Sequence, residues 1–172
     1  MRPPYAGRRH QQVTSASRPW TRGVNAVGIV LNISAKTEYA CVAMIELAAL
    51  YDSGDPVRVR ELAATHSIPA HFLTQILLQL KGAGMVQSTR GATGGYRLAR
   101  DPSEISIYDI HRVIEGDSDQ PCGALQKPTP AAAALKALCC EAATAQREIL
   151  SAATLADMAE KAGSTVEDMF YI

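Results

Sequence analysis

The 172-residue sequence lacks an apolar run long enough to cross a bilayer, which takes about 20 residues as a helix. Its best candidate, Val24 to Leu31, is short and broken by Asn25 and Gly28. A secretory signal is not expected either, because arginines are scattered as far as Arg22 and no apolar region precedes a small-residue cleavage site. Cysteine is sparse: Cys41, Cys122, Cys139 and Cys140 show no disulfide-framework spacing in a chain of this size, so a reducing cytoplasm is the expected setting. Missing too are a Ser/His/Asp set, metal-ligand spacing and a phosphate-cradling glycine loop, so neither enzyme chemistry nor a metal site is expected.

Net charge is zero, which by itself argues against a polyanion as partner. The distribution reverses that inference. Residues 1–100 hold 12 Lys and Arg against 5 Asp and Glu, whereas residues 101–172 hold 5 against 12. A basic half suited to phosphate is followed by an acidic half suited to protein. The length suits one domain with an appendage and allows a real core.

The basic half contains the stretch that organises the chain, Val57 to Arg100. Val59, Leu62 and Ala63 are spaced for the buried face of a short helix, and His66-Ser67-Ile68 makes a turn. Pro69 suits the first position of a second helix, whose stripe Phe72, Leu73, Ile76, Leu77 and Leu80 is expected to face the core. Its other face carries Ala70, His71, Thr74, Gln75 and Gln79, small or uncharged hydrogen-bonding groups that suit a DNA major groove. Gly82 and Gly84 stop the helix. Met85–Ser88 and Tyr96–Ala99 then flank a glycine-rich turn, with Arg90, Arg97 and Arg100 nearby and no acid before Asp101. Glycine backbone N–H groups and arginine forks are what a phosphate chain needs. Each feature has a purely structural explanation, but their order within so few residues points to a winged helix-turn-helix that binds double-stranded DNA.

The remaining segments arrange themselves around this unit. Residues 1–31, with five arginines, three prolines and no acid, read as a disordered basic extension. Such an arm adds nonspecific DNA affinity, and a start codon set too far upstream gives the same composition. Residues 32–115 form the DNA-binding domain. Ser34 caps a first helix reaching about Asp52, with Tyr39, Ala40, Ala43, Met44, Leu47 and Leu50 on its buried side, and Ser106 caps another over Ile107–Glu115. Residues 116–130 are a loop containing Cys122. Residues 131–160 hold a long alanine-rich helix and a terminal segment, and residues 161–172 a loosely ordered tail. In the long helix Leu135, Leu138, Ala142, Ala145, Ile149 and Ala152 follow 3-4-3-4-3 spacing, a narrow seam that would stay wet on a lone chain. A homodimer is the expected consequence, presenting two reading helices to a pseudo-palindromic site. Folding of the helix back on its own domain is the alternative. The fold class is therefore mainly α, with a small β-hairpin wing and a long C-terminal dimerisation helix.

Four stretches carry a family resemblance: Ser34 to Ala40, Phe72 to Leu77, Arg90 to Ala99, and Thr154 to Met158. Together they resemble the Rrf2 family of bacterial transcription regulators across about residues 33–160. The resemblance implies a homodimeric repressor whose long helices cross at the dimer interface. It places Pro69, His71 and Thr74 where members read bases, and Arg90, Gly91 and Gly95 where the wing meets the DNA backbone or minor groove. Lys36, Tyr39, Gln75 and Arg97 complete the candidate DNA-contacting set. Iron–sulfur members carry three closely spaced loop cysteines, whereas this loop has Cys122 alone and Lys127 and Ala133 stand where later ligands fall. No cofactor is expected, and a cluster is disfavoured. Cys122 and Cys140 stay as candidate redox or cluster thiols beside the alternative that the cysteines are incidental. Two rival functions stay open: a winged-helix protein-interaction adaptor, and a redox protein using Cys139-Cys140, which lacks C-x-x-C spacing.

Overall fold

Ser34 opens the first helix as the sequence suggests: its Oγ accepts a hydrogen bond from the Thr37 N–H at 3.2 Å. In this computed structural model the described residues are 33–91, 94–116, 127 and 129–169, with side chains described as far as 164. The basic extension, Ala92 and Thr93 of the wing turn, and Cys122 with most of its loop lie outside the described residues.

Helix α1 spans Ala35–Ala49 and buries Thr37, Ala40, Ala43, Met44, Leu47 and Ala48. It ends three residues short of Asp52. Leu50, expected on the buried side, has left helical geometry (φ −104°, ψ 10°) and is 44% exposed. Helix α2 (Val59–Thr65) contributes Leu62 and Ala63 to the core, and Ser67, at φ +53°, turns the chain into α3 (Ala70–Gly82). Pro69 stands one place earlier than expected, as the cap whose carbonyl accepts from the N–H groups of Phe72 and Leu73.

Leu73, Ile76, Leu77 and Leu80 of α3 are completely buried. Phe72, expected with them, is half exposed; the stripe is narrower than the spacing indicates. At the far end Gly84 takes φ +72°, a conformation that costs a side-chain-bearing residue about 1 kcal/mol or more, and the Met85 N–H reaches back to the Leu80 carbonyl at 3.0 Å.

The hairpin pairs β1 (Val86–Thr89) with β2 (Gly95–Leu98) in antiparallel register, Val86 opposite Leu98 and Thr89 opposite Gly95. β1 starts one residue later and β2 one residue earlier than the sequence pattern suggests. Val57 adds a bridge to the free edge of β2, exchanging two 2.8 Å backbone bonds with Tyr96. After a 3-10 turn at Pro102–Glu104 comes α4 (Ile107–Glu115), opened by a reciprocal capping box between Ser106 and Asp109.

Helix α5 runs Pro130–Ala152 and α6 Leu155–Met169, the latter continuing past Glu160, where the sequence pattern places a loose tail. The start of α6 is tied to the start of α4: Ile107 N–H donates to Ala153 O and Leu155 N–H to Ile105 O, both at 2.9 Å. Thr154 and Asp157 cap α6 reciprocally beside the Ser106 box. α1 packs against α3, α4 and α6, and Leu150 and Leu155 complete the core. The Arg147 guanidinium lies 5.6 Å above the Tyr108 ring and joins α5 to α4. Among the described residues no helix is long and apolar enough to cross a membrane.

Candidate nucleic-acid interface

The outer side of α3 presents Pro69, His71 and Gln75 to solvent, with Thr74 half-buried between them. The four are placed together because the opposite side of the helix is pinned by its leucines and isoleucine. Thr74 Oγ1 donates to the Ala70 carbonyl at 2.8 Å, so in this rotamer it offers a ligand only acceptor lone pairs. His71 meets the Phe72 ring edge-on, centroids 5.2 Å apart and planes at 66°.

Gln79, expected on the groove face, does something else. Its Nε2 donates to the Val113 carbonyl of α4 at 2.6 Å, while its Oε1 accepts from Lys36 Nζ of α1 at 2.8 Å. Both ends of the amide are in use, and Gln79 acts as a strut among three helices. Lys36 therefore sits beside α3 with one of its three donors committed. Tyr39 is half-buried and packs on the core, leaving part of its surface outward. Nearby, the Glu115 carboxylate accepts from Ser34 Oγ and Thr37 Oγ1, and these bonds, Ser34 first, hold its pKa below the ordinary value of 4.5.

The wing separates its candidate residues. Arg90 is exposed and, among the described residues, makes no hydrogen bond or ion pair. Gly91 beside it is exposed with φ +110°. Arg97 instead points back to the α1–α2 turn, Nη1 donating to the Gly54 carbonyl at 3.2 Å, and lines an open cavity of about 280 Å³ with Leu50, Tyr51 and Leu98. Arg100 donates to the Glu104 carbonyl at 3.0 Å. Gly95 has a packing reason to be glycine: a Cβ there would lie 2.4 Å from the Val57 carbonyl oxygen, so any side chain would break the Val57–Tyr96 bridge. Lys81, not singled out from sequence, bonds Ser88 Oγ at 2.6 Å and braces α3 against β1.

The seam residues Leu135, Leu138, Ala142, Ala145 and Ile149 are all exposed on α5. The side turned to the chain's own domain instead carries half-buried Cys139 and fully packed Leu150. Cys140 is exposed. Cys41 is half-buried, and burial pushes its thiol up to about 11, away from thiolate chemistry.

A family model described as Rrf2, iron-dependent transcriptional regulator, matches residues 33–161. The HTH-type transcriptional regulator CymR of Bacillus subtilis is 37% identical over 143 residues, 83% of this chain and all of CymR. The solved structure of that protein, described as the global cysteine regulator of B. subtilis, has a TM-score of 0.66 at 36% identity and covers 75% of this chain and 96% of CymR. T. potens IscR gives a TM-score of 0.63 at 32% identity, covering 77% of this chain and 89% of IscR. The described thiols do not fit an iron centre. No three His, Cys, Asp or Glu side chains converge among the described residues, and adjacent Cys139 and Cys140 project about 100° apart around α5.

Proposed function

The chain belongs to the Rrf2 family of winged helix, DNA-binding transcription regulators, and on that premise we propose that it is a homodimeric, non-catalytic repressor acting in the cytoplasm on a pseudo-palindromic operator. One observation carries the reading of the interface: the first two turns of α3 expose the uncharged hydrogen-bonding side chains of His71 and Gln75, next to Pro69 at the cap, on a helix whose opposite side is locked into the core. Charged side chains are absent there, so base edges rather than counter-charges are its natural partners. Arg90, whose guanidinium makes no hydrogen bond or ion pair among the described residues, supplies a phosphate contact from the wing. Dimerisation rests on the α5 seam, where Leu138 and Ile149 are 62% and 69% exposed. To read a pseudo-palindromic operator, two-fold pairing along this seam has to set the two α3 helices about one DNA turn apart, roughly 34 Å.

The test is binding of full-length protein to duplex DNA, including the region upstream of its own gene, across a salt series. Specific affinity should fall steeply with salt, and Arg90→Ala should weaken binding to every sequence while lowering the salt slope by about 1. His71→Ala and Thr74→Ala should change which sequence is preferred. A protein without preference for any duplex refutes the operator reading. Repression is tested by a reporter behind the selected operator, whose output should rise when the gene is deleted.

A further inference from the structure

Among the described residues nothing encloses the half-exposed ring at the start of α3. Phe72 is 50% exposed in the first turn, next to exposed Pro69 and His71. Side chains on a helix tilt toward its N-terminus, which carries this ring toward the end that leads a recognition helix into the major groove. Among the groups that base pairs display there, only the thymine C5-methyl is apolar. Phosphates and the edges of G·C pairs offer such a ring nothing.

We infer that Phe72 is a specificity-determining residue that packs against a thymine methyl in each operator half-site. The inference rests on α3 being the groove-entering helix and adds to that reading a stated base preference. His71 contacts the ring, centroids 5.2 Å apart, at the same end of the helix. Leu78, 49% exposed on the same helix, is the built-in control. It lies six residues further on, about 9 Å along the axis and about 120° around it, away from the leading turn.

Duplexes selected by the full-length protein from a random pool are resynthesised with deoxyuridine, which lacks only the methyl, at each thymine in turn. One thymine per half-site should be sensitive, its replacement weakening wild-type binding about fourfold, the equivalent of leaving one methyl group unburied. Phe72→Ala should bind thymine and deoxyuridine duplexes equally, and Leu78→Ala should keep the wild-type ratio. Phe72→Gln, which keeps length and helix propensity but removes the apolar ring, provides a second variant should the alanine variant not fold, and its ratio should fall toward one. If the wild type binds its selected sites but ignores every deoxyuridine, or if Phe72→Ala retains the full ratio, the inference is overturned and the DNA-binding reading stands. If Phe72→Ala instead converts a dimer to monomers, the ring belongs to a protein interface and the inference also falls. Failure to select any duplex would overturn both readings.

Discussion

In α3 the apolar stripe of Leu73, Ile76, Leu77 and Leu80 is fully enclosed, whereas in α5 Leu135, Leu138 and Ile149 stand 50–69% exposed. Both helices carry three- and four-residue spacing. The difference lies in what is packed against them: α3 is flanked by α1, α2, α4 and β1, while α5 turns only Leu150 and its half-buried neighbours inward. Periodicity states which side of a helix is apolar and leaves open what covers it. For α3 the cover is the chain itself; for α5 the proposed cover is a second copy.

The two helices should therefore fail differently. Leu77→Ala opens a cavity in a closed core and should cost about 2–5 kcal/mol, visible as a large drop in thermal midpoint. Leu138→Asp should leave monomer helicity unchanged and disrupt association. Losing two symmetry-related leucines from an interface amounts to about 3 kcal/mol or more, over 100-fold in dimer affinity. Sedimentation across a concentration series reads this directly, and a wild-type protein that is monomeric throughout would refute the seam as a dimer interface. A third substitution probes the closed region without touching its core. Ser67 holds φ +53° in the α2–α3 turn with its side chain exposed, so Ser67→Gly should relieve about 1–2 kcal/mol of backbone strain at an entropic cost of about 0.5–1 kcal/mol. A net gain in stability with unchanged DNA affinity is expected, and a loss would mean that the hydroxyl matters.

The same comparison explains what could be read from the sequence. Element order, the Ser34 and Ser106 caps and the hairpin follow from local signals, and the structure has them nearly in place. Phe72 and Gln79 do not follow. They are seven residues apart, about two turns, and so share one flank of α3 at the margin of its buried stripe. At Gln79 that flank meets Lys36 and the Val113 carbonyl, so a polar residue becomes structural; at Phe72 nothing described covers it, and an apolar residue stays outside. Flank positions are decided by neighbours distant in sequence, and local periodicity carries no information about them. Gly95 is a similar case. Its place in the wing motif suggests phosphate contact, yet the 2.4 Å approach of Val57 already requires glycine there. Arg97, counted with the wing by sequence proximity, is turned away by strand alternation toward Gly54.

The smallest effect lies at the rim of the closed region, where Glu115 joins the end of α4 to the start of α1. Ser34 and Thr37 donate to its carboxylate and keep its folded-state pKa below the ordinary 4.5. Such a group stabilises the fold above the unfolded-state value, and the contribution disappears as pH falls through the folded-state value. Its exposure to solvent keeps the contribution small. Glu115→Gln retains an oxygen that can accept from Ser34 and Thr37 but removes the charge. The wild type should therefore melt slightly above the variant at pH 6, with the margin closing as pH drops below 4.5. Asp101 and Asp157 also have lowered pKa values and titrate in both proteins, so the difference between the two melting curves isolates Glu115. A margin that stays constant down to pH 3 would mean that the two hydroxyl bonds do not discriminate between carboxylate and acid. The α4–α1 joint would then rest on Gln79 and buried Ile114 instead.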